Sequence, residues 1–307
     1  MNLNISELDC FFLSYDEPNR EKHWALLLEI APWAKRVDGI KGFDAAHKQC
    51  AIGSDTEYLI TVDGDNQVRP YFFDLSLTVP DQLRDCVLSW NSVNEINGLV
   101  YGNGGVKIWP KQFLLNMKSH ENAESESHAV DFCWDEKYIQ LNNVYSTTYP
   151  NASPLQAFRS GFREGCKMTL NRGKIIDNVE QMVGSVFRLN IERLQIWGSL
   201  GEDVDNGFWA ILGTRVGMHY TNVLKSDIGL VADYDAFAQY AESWLKTSPQ
   251  VIRAVCKRIT NEVLEHTGMS FLDFDEHQSR FIKNIMRRNY HDRDPLVTET
   301  EVLKQNA

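Results

Sequence analysis

The stretch Tyr58-Leu59-Ile60-Thr61-Val62-Asp63-Gly64-Asp65-Asn66 places two carboxylates directly after an apolar run. A short apolar run of this kind predicts a buried strand, and Gly64 allows a tight turn at its end. Carboxylate oxygens are ligands that Mg²⁺ and Mn²⁺ prefer, and such a metal commonly joins a protein acid to the phosphates of a nucleotide. The stretch therefore predicts a metal and phosphate site at Asp63 and Asp65, although Asp-Gly-Asp also occurs in ordinary turns and in some Ca²⁺ loops.

The composition is that of an ordinary globular protein. The 307 residues, 43% of them hydrophobic and 24% charged, suffice for one large domain or two modest ones. No run of about 18 apolar residues occurs, so no membrane span is expected. The segment Met1–Glu7 has neither the basic start nor the apolar stretch of a secretory signal.

The cysteines and the charge bear on location and partners. The six cysteines occur singly, without a Cys-x-x-Cys pair, which favours the reducing cytoplasm over a disulfide framework or a structural zinc site. The formal net charge of −11 disfavours general attraction to nucleic acid without excluding a local basic surface.

The first half of the chain alternates predicted strands and helices. The expected elements are a strand over 8–14, a helix over 21–30, a strand over 34–37, a helix over 43–52 and a strand over 58–62. This order predicts a parallel sheet with crossover helices, in which ligands bind beyond the carboxyl ends of the strands. The polar residues at those ends are Ser14, Tyr15, Asp16, Lys41, Asp63 and Asp65.

Three of these features together resemble a nucleotide-sugar glycosyltransferase of the GT-A fold. They are the strand ending near Asp16, the glycine turn before a helix that carries Ala46-His47, and Val-Asp-Gly-Asp-Asn. The resemblance covers roughly residues 8–115 and implies a Rossmann-like α/β nucleotide-binding domain. It implies that the loop 14–16 contacts the base or ribose and that Lys41 or His47 lies near the nucleotide. Asp63 and Asp65 would hold Mn²⁺ or Mg²⁺ on the diphosphate of the donor, expected to be a UDP-sugar.

The glycine-rich segment 90–110 extends the resemblance. Its centre, Gly102-Asn103-Gly104-Gly105, precedes a short strand and allows backbone amides to approach a ligand closely. In GT-A enzymes such a loop commonly forms the wall where sugar and acceptor meet, which makes Gly104 and Gly105 expected donor contacts. A glycine hairpin without a ligand is the alternative.

The segment 90–110 as a whole also resembles glycosyltransferase-like proteins of tailed bacteriophages that are associated with modified DNA bases. This narrower resemblance implies a hydroxymethylated or already modified pyrimidine in DNA as the acceptor, and the host cytoplasm as the location.

Two further residues are candidates for chemistry. Asp131 lies in a predicted strand among aromatic residues, where a raised pKa would suit a general base, but it could equally face water. His219 could be a third metal ligand or a donor contact, because some GT-A enzymes use a downstream histidine. A partly buried histidine with satisfied hydrogen bonds is the alternative.

The second half of the chain is predicted to be helical, with two basic surfaces. Arg159, Arg163 and Lys167 recur every four residues and line one helical face, which could contact phosphates or simply face solvent. A basic C-terminal helix is the expected nucleic-acid contact, unless its cations only complement the helix dipole. Its residues are Arg280, Lys283, Arg287, Arg288, Tyr290 and Arg293.

These observations predict a GT-A-like domain over 1–150, a helical acceptor-side domain over 151–295 and a tail over 296–307. The predicted activity is metal-dependent transfer of a sugar from a nucleotide-sugar to a hydroxyl acceptor. A nucleotidyltransferase or pyrophosphorylase, which also holds a nucleotide and a metal with paired acids, is the first alternative. A non-catalytic nucleotide-binding protein of the same fold is the second. The sequence Gly-x-x-x-x-Gly-Lys-Ser/Thr is missing, which counts against an ATPase.

Overall fold

The computed structural model describes residues 1–102, 105–124, 137–171, 173–291 and 303. The chain forms two compact units. The first is built mainly from Met1–Glu95 and Val100–Tyr149, and the second from Ile96–Leu99 and Pro150–Arg287. The roles assigned above to residues 1–150, 151–295 and 296–307 stay predictions.

The first unit contains the sheet. Its strands are β1 (Asn2–Asn4), β2 (Asp9–Ser14), β3 (Lys35–Asp38), β4 (Tyr58–Asp63), β5 (Asn66–Val68), β6 (Ser76–Thr78), β7 (Val87–Asn94), β8 (Val100–Tyr101), β9 (Val106–Pro110) and β10 (Tyr138–Thr148). Among the described residues, one sheet of eight strands has the order β3-β2-β4-β9-β7-β10-β5, and β8 pairs with β7. Strands β1 and β6 pair separately and antiparallel.

The parallel part of the sheet is confirmed. Strand β2 pairs in parallel with β3 on one side and with β4 on the other, so that Phe12 lies opposite both Arg36 and Val62. Helix α1 (Arg20–Ile30) connects β2 to β3, and helix α2 (Phe43–Gly53) connects β3 to β4, as the alternating pattern predicts.

Beyond β4 the sheet is no longer parallel. Strand β9 runs antiparallel to both of its neighbours, β4 and β7. A parallel return needs a crossover of about a dozen residues or more, usually a helix. The segment between β7 and β9 instead contains β8, which turns back onto β7. The result is a mixed α/β sheet.

Both faces of this sheet are buried, as alternate residues along the strands show. Phe12, Ile60 and Ile108 belong to one apolar cluster. Leu13 and Leu59 belong to another, which also contains residues of α2. Helix α3 (Lys111–Asn116) follows β9 on this second side, where Leu114 is buried. Burial on both faces explains why the strands appear in the sequence as continuous apolar runs.

The second unit is helical. Its helices are α4 (Pro154–Lys167), α5 (Val179–Ser185), α6 (Arg188–Trp197), α7 (Gly207–Met218), α8 (Tyr234–Leu245), α9 (Pro249–Thr267) and α10 (Glu276–His291). Helix α7 continues into a π-helical turn, His219–Val223. Within the described residues, no helix is both long enough and apolar enough to cross a membrane.

The three cations of the basic stripe predicted on α4 contact other residues of the second unit. The guanidinium of Arg159 lies 3.9 Å from the ring centroid of Tyr234. Arg163 and Lys167 lie 3.5 Å and 3.0 Å from the carboxylate of Glu164. Neighbouring groups of the protein therefore already compensate these three cations in part.

Lys283 corrects the expectation of a nucleic-acid contact along α10. Its side chain is 4% exposed, and its ammonium lies 2.7 Å from the carboxylate of Asp203 and donates to the Ile96 carbonyl oxygen at 3.1 Å. A lysine in this position stabilises the interior of the second unit. Arg280 pairs with Glu276 one turn earlier, at 2.5 Å. Arg293 and the side chains of Arg287, Arg288 and Tyr290 lie outside the described residues.

Helices α4 and α7 pack closely through glycines. A Cβ added at Gly213 would lie 2.2 Å from the carbonyl oxygen of Phe158, whereas one at Gly184, within α5, would meet nothing within 4 Å. Gly213→Ala is therefore expected to lower the free energy of unfolding by about 1–3 kcal/mol through overpacking. Gly184→Ala, the matched control, is expected to change it by zero to about +1 kcal/mol. Urea denaturation measures both, and an unchanged Gly213→Ala variant would contradict the close packing.

Candidate functional site

The order of the strands switches at the ends of β2 and β4. The chain leaves β2 for β3 on one side and later returns to β4 on the other side, so the order of strands switches between β2 and β4. Because these strands are parallel, their carboxyl ends lie at one edge of the sheet. Ligands of open α/β sheets bind in the crevice at such a switch point. This edge of the sheet is therefore the candidate site.

The Asp63-Gly64-Asp65 turn lies at this edge, between β4 and β5. Asp63 lies opposite Leu13 in the register of β4 and β2, and its side chain is 40% exposed. The Gly64 carbonyl oxygen lies 3.1 Å from Nδ1 of the buried His23. A Cβ at Gly64 would lie 2.9 Å from a carboxylate oxygen of Glu17, so a larger residue here would displace that acid.

Asn66 orients the second acid, a role that sequence reasoning missed. Its side-chain amide donates to Oδ1 of Asp65 at 2.9 Å, and its Oδ1 accepts the Gly105 N–H at 3.4 Å. Asn66 itself is 2% exposed. The sequence shows an asparagine directly after the acid pair, which could have suggested this role. Its contact with Gly105 could not be predicted, because Gly105 is distant in the sequence.

Gly105 lies directly against Asp63. Its carbonyl oxygen accepts the Asp63 N–H at 2.9 Å, and a Cβ added to it would lie 2.4 Å from the Asp63 Cβ. Gly105 thus packs against the acid turn, and its expected contact with a donor stays a prediction. Gly104 lies outside the described residues.

Glu17 is a third acid at this edge and was not singled out from the sequence. Burial raises the pKa of its carboxyl group, and the nearby charges of Asp16 and Asp63 raise it further. Hydrogen bonds from backbone N–H groups act in the opposite direction, including that of Tyr15 at 2.8 Å. Acids are thus concentrated here, an arrangement that favours a positive ligand.

The other predicted residues of the β2 end have different environments. The Ser14 hydroxyl is buried and donates to the Asp38 carboxylate at 2.5 Å. The Tyr15 carbonyl oxygen accepts a hydrogen bond from Arg20 at 2.5 Å. Asp16 is exposed at the start of the turn. Ser14 therefore orders the ends of β2 and β3, and Asp16 faces solvent.

Lys41 precedes α2, and His47 lies within it. Lys41 is exposed. The His47 ring is 3% exposed, its Nδ1 lies 2.8 Å from the Phe43 carbonyl oxygen, and its ring centroid lies 5.1 Å from that of Trp109. Burial lowers the pKa of His47 to about 4, while the charge of Asp63 raises it in part. His47 is therefore neutral at pH 7, and its predicted contact with a nucleotide stays a prediction.

Lys107 is a buried cation beneath the acid turn and was also missed. It lies on β9 opposite Thr61 and Ser89, and its ammonium is 4.0 Å from Oδ2 of Asp63. Its side chain is 10% exposed. The signal in the sequence was a lysine inside the apolar run 106–109, where a charge needs a specific partner.

The metal prediction is only partly addressed by the geometry. The described residues contain no group of three or more His, Cys, Asp or Glu side chains that could hold a metal ion. Mg²⁺ is often bound by one or two carboxylates together with waters and substrate phosphates, and the oxygens of Asp63 and Asp65 fit that mode. His219 belongs to the second unit, where its Nε2 lies 2.5 Å from the Glu262 carboxylate. Asp131 lies outside the described residues.

Comparison with known proteins does not identify a family for this chain. No protein-family model matches the chain, and no curated protein matches it. One similar solved structure is S. aureus TarS, residues 1–349, in complex with UDP-GlcNAc. It is 10% identical, the match covers 97% of this chain and 87% of that chain, and the TM-score is 0.32. A likeness this low carries no argument about this protein.

The low pKa of His47 predicts a pH dependence of stability. Since the unfolded chain binds a proton near pH 6.5 and the folded one only near pH 4, stability is fully present above pH 6.5 and falls as the pH drops towards 4. The shift corresponds to at most about 3 kcal/mol. In His47→Asn, urea denaturation between pH 7 and pH 4.5 should show a shallower decline than in the wild type.

His266→Asn, at an exposed histidine on α9, is the control for this measurement. It should follow the wild-type decline. Buried His23, whose pKa burial also lowers, accounts for part of the decline that His47→Asn retains. Equal slopes for the wild type and His47→Asn would contradict the assignment to His47.

Proposed function

We propose that the protein is a metal-dependent glycosyltransferase of the GT-A type that moves a sugar from a nucleotide-sugar to a hydroxyl acceptor. The observation that carries the proposal is the position of the Asp63-Gly64-Asp65 turn, directly at the end of β4 and at the switch point between β2 and β4. This is the place where an α/β sheet binds a nucleotide, and paired carboxylates there suit a metal–diphosphate complex.

The donor would lie along the edge of the sheet at the ends of β2, β3 and β4. Asp16 and Lys41, both exposed at the ends of β2 and β3, are the proposed contacts of the base and ribose. The diphosphate would lie at the Asp63-Gly64-Asp65 turn. A UDP-sugar is the proposed donor.

Mn²⁺ or Mg²⁺ held by Asp63 and Asp65 would neutralise the charge that builds up on the departing diphosphate. The protein's own contribution is to position these oxygens. Asn66 fixes the Asp65 carboxylate by a hydrogen bond, and Gly105 holds the Asp63 backbone. Glu17 keeps a third carboxyl group beside the turn, and burial raises its pKa, with the charges of Asp16 and Asp63 raising it further.

The acceptor is proposed to be a hydroxyl compound, and the specific acceptor suggested by the sequence is a hydroxymethylated or already modified pyrimidine in phage DNA. A base inside a duplex would first have to be extruded. Asp131 remains the proposed base for the acceptor hydroxyl. Because Lys283 is buried and Arg159 stacks on Tyr234, contacts with DNA would depend on other cations, so free nucleotides, glycans and proteins belong in the same acceptor panel.

Removal of the acid pair tests the metal site. In calorimetric titrations, Mn²⁺ should strengthen UDP binding to the wild type, and Asp63→Asn with Asp65→Asn should reduce that gain by about tenfold or more. Asp74→Asn, at an exposed acid in the loop before β6, is the control and should behave as the wild type. Metal-dependent UDP affinity that survives the double substitution would overturn the site.

A turnover assay separates the proposed activity from its alternatives. The protein is incubated with Mn²⁺, a panel of nucleotide-sugars and the acceptor panel, including hydroxymethylated DNA that is then digested to nucleosides for mass spectrometry. A glycosylated product and free nucleoside diphosphate are expected. Release of pyrophosphate from a nucleoside triphosphate would indicate a nucleotidyltransferase instead, and tight donor binding without any product would indicate a binding protein.

A further inference from the structure

Two residues outside the acid turn hold its backbone. The Gly64 carbonyl oxygen lies 3.1 Å from Nδ1 of His23, and since a carbonyl oxygen can only accept, Nδ1 carries the proton and donates it. The Asp65 carbonyl oxygen accepts the Tyr149 N–H at 2.8 Å. The carbonyl oxygens of both residues that follow Asp63 are thus already engaged by the protein.

The two partners are themselves fixed by packing. His23 lies on α1 and is 2% exposed, and its ring centroid is 5.3 Å from that of Tyr149. The side-chain amide of Asn19, directly before α1, donates to the Tyr149 carbonyl oxygen at 2.9 Å. Gly64 is buried as well. A carbonyl oxygen that meets a buried ring points into the protein, so the Gly64 carbonyl is directed away from solvent.

The direction of these carbonyls bears on which cation the turn suits. Ca²⁺ takes about six to eight oxygen ligands in flexible geometry, and backbone carbonyls are often among them. Mg²⁺ requires a regular octahedral set and is commonly held by one or two carboxylates together with waters and phosphates. With its carbonyls engaged, the turn presents carboxylate oxygens, and the Asp63 side chain is 40% exposed. That set of ligands suits Mg²⁺ better than Ca²⁺.

We propose that His23 is a positioning residue: together with the backbone of Tyr149, it makes the acid turn select Mg²⁺ over Ca²⁺ as the cation that accompanies a nucleoside diphosphate. The inference rests on the proposed function, since it needs the cation and the diphosphate at this turn. His23 acts through the Gly64 peptide and not by contact with the cation. This arrangement distinguishes the turn from an Asp-Gly-Asp Ca²⁺ loop, where a backbone carbonyl serves as a ligand.

Substitution of His23 should change the preference between the two cations. In His23→Phe a ring remains but the donor is gone, so the Gly64 carbonyl becomes available to a cation and the carboxylates lose part of their support. The preference of UDP binding for Mg²⁺ over Ca²⁺ should narrow by about tenfold, which is the order of effect that residues behind metal ligands have on metal affinity. His23→Asn, whose amide can donate from about the position of Nδ1, should keep the wild-type preference.

The test is calorimetric titration of the full chain with UDP alone, with UDP in the presence of Mg²⁺ and with UDP in the presence of Ca²⁺. His266→Phe is the matched control, because His266 also donates from Nδ1 to a backbone carbonyl oxygen, that of Glu262 at 2.9 Å, but lies on α9 in the second unit. It should leave all three affinities unchanged. Circular dichroism and a thermal melt establish that each variant is folded.

Asn19→Ala provides a second test that does not require His23→Phe to fold. Loss of the Asn19 amide releases the Tyr149 carbonyl and loosens the support of Asp65 through Tyr149. The preference for Mg²⁺ should therefore narrow in the same direction, by a smaller factor than in His23→Phe. Where His23→Phe folds, an unchanged preference in that variant overturns the inference, and where it does not fold, an unchanged preference in Asn19→Ala does so.

The outcomes also separate this inference from the proposed function. If neither cation strengthens UDP binding to the wild type, the proposed function fails and the inference fails with it. If Ca²⁺ strengthens UDP binding to the wild type as much as Mg²⁺ or more, only the inference is overturned. The same holds if His23→Phe weakens UDP binding equally with both cations, since a merely structural role for His23 would give that result. A narrowed preference in His23→Phe that is absent from His23→Asn is the supporting result.

Discussion

The pairing of β4 between β2 and β9 is the constraint on which the site depends. Because β4 is parallel to β2, the turns that follow both strands meet at one edge of the sheet. Because β9 is antiparallel to β4, it is the beginning of β9 that lies at this edge, and Gly105 therefore contacts Asp63. A parallel β9 would have put Gly105 at the opposite edge. A single reversal of strand direction thus joins three chain segments around the acid turn.

Close packing at this edge leaves no room for side chains at two positions. A Cβ added at Gly64 would lie 2.9 Å from a carboxylate oxygen of Glu17, and one at Gly105 would lie 2.4 Å from the Asp63 Cβ. Both distances are too short for a side chain. The acids are consequently held by backbone contacts and by Asn66, which is a more rigid support than long side chains would give. The cost is electrostatic, since carboxylates so close together disfavour one another's ionised forms. At Glu17, burial is the main cause of the raised pKa, and the charges of Asp16 and Asp63 add to it.

The local parts of this arrangement were predictable, and the non-local parts were not. Strands β2 to β4, helices α1 and α2 and the acid turn follow from periodicity and turn residues within short windows of sequence. The direction of β9 depends on pairing with strands far along the chain, so the sequence favoured a parallel sheet. Lys283 was misjudged for the same reason: its neighbours in α10 indicate an exposed basic helix, while its partner Asp203 belongs to another part of the second unit. Asn66 and Lys107 likewise gain their roles from residues on other strands.

Each unit contains a buried lysine paired with an aspartate, and the two pairs differ in one decisive respect. In the second unit both partners are sealed, with side chains of Lys283 and Asp203 at 4% and 5% exposure, and Lys283 has an additional carbonyl partner. Neither charge can reach a ligand, so this pair can only stabilise the fold. In the first unit the lysine is equally constrained, but Asp63 remains 40% exposed. A pair with one partner open to solvent leaves that carboxylate accessible to a ligand, which a sealed pair does not.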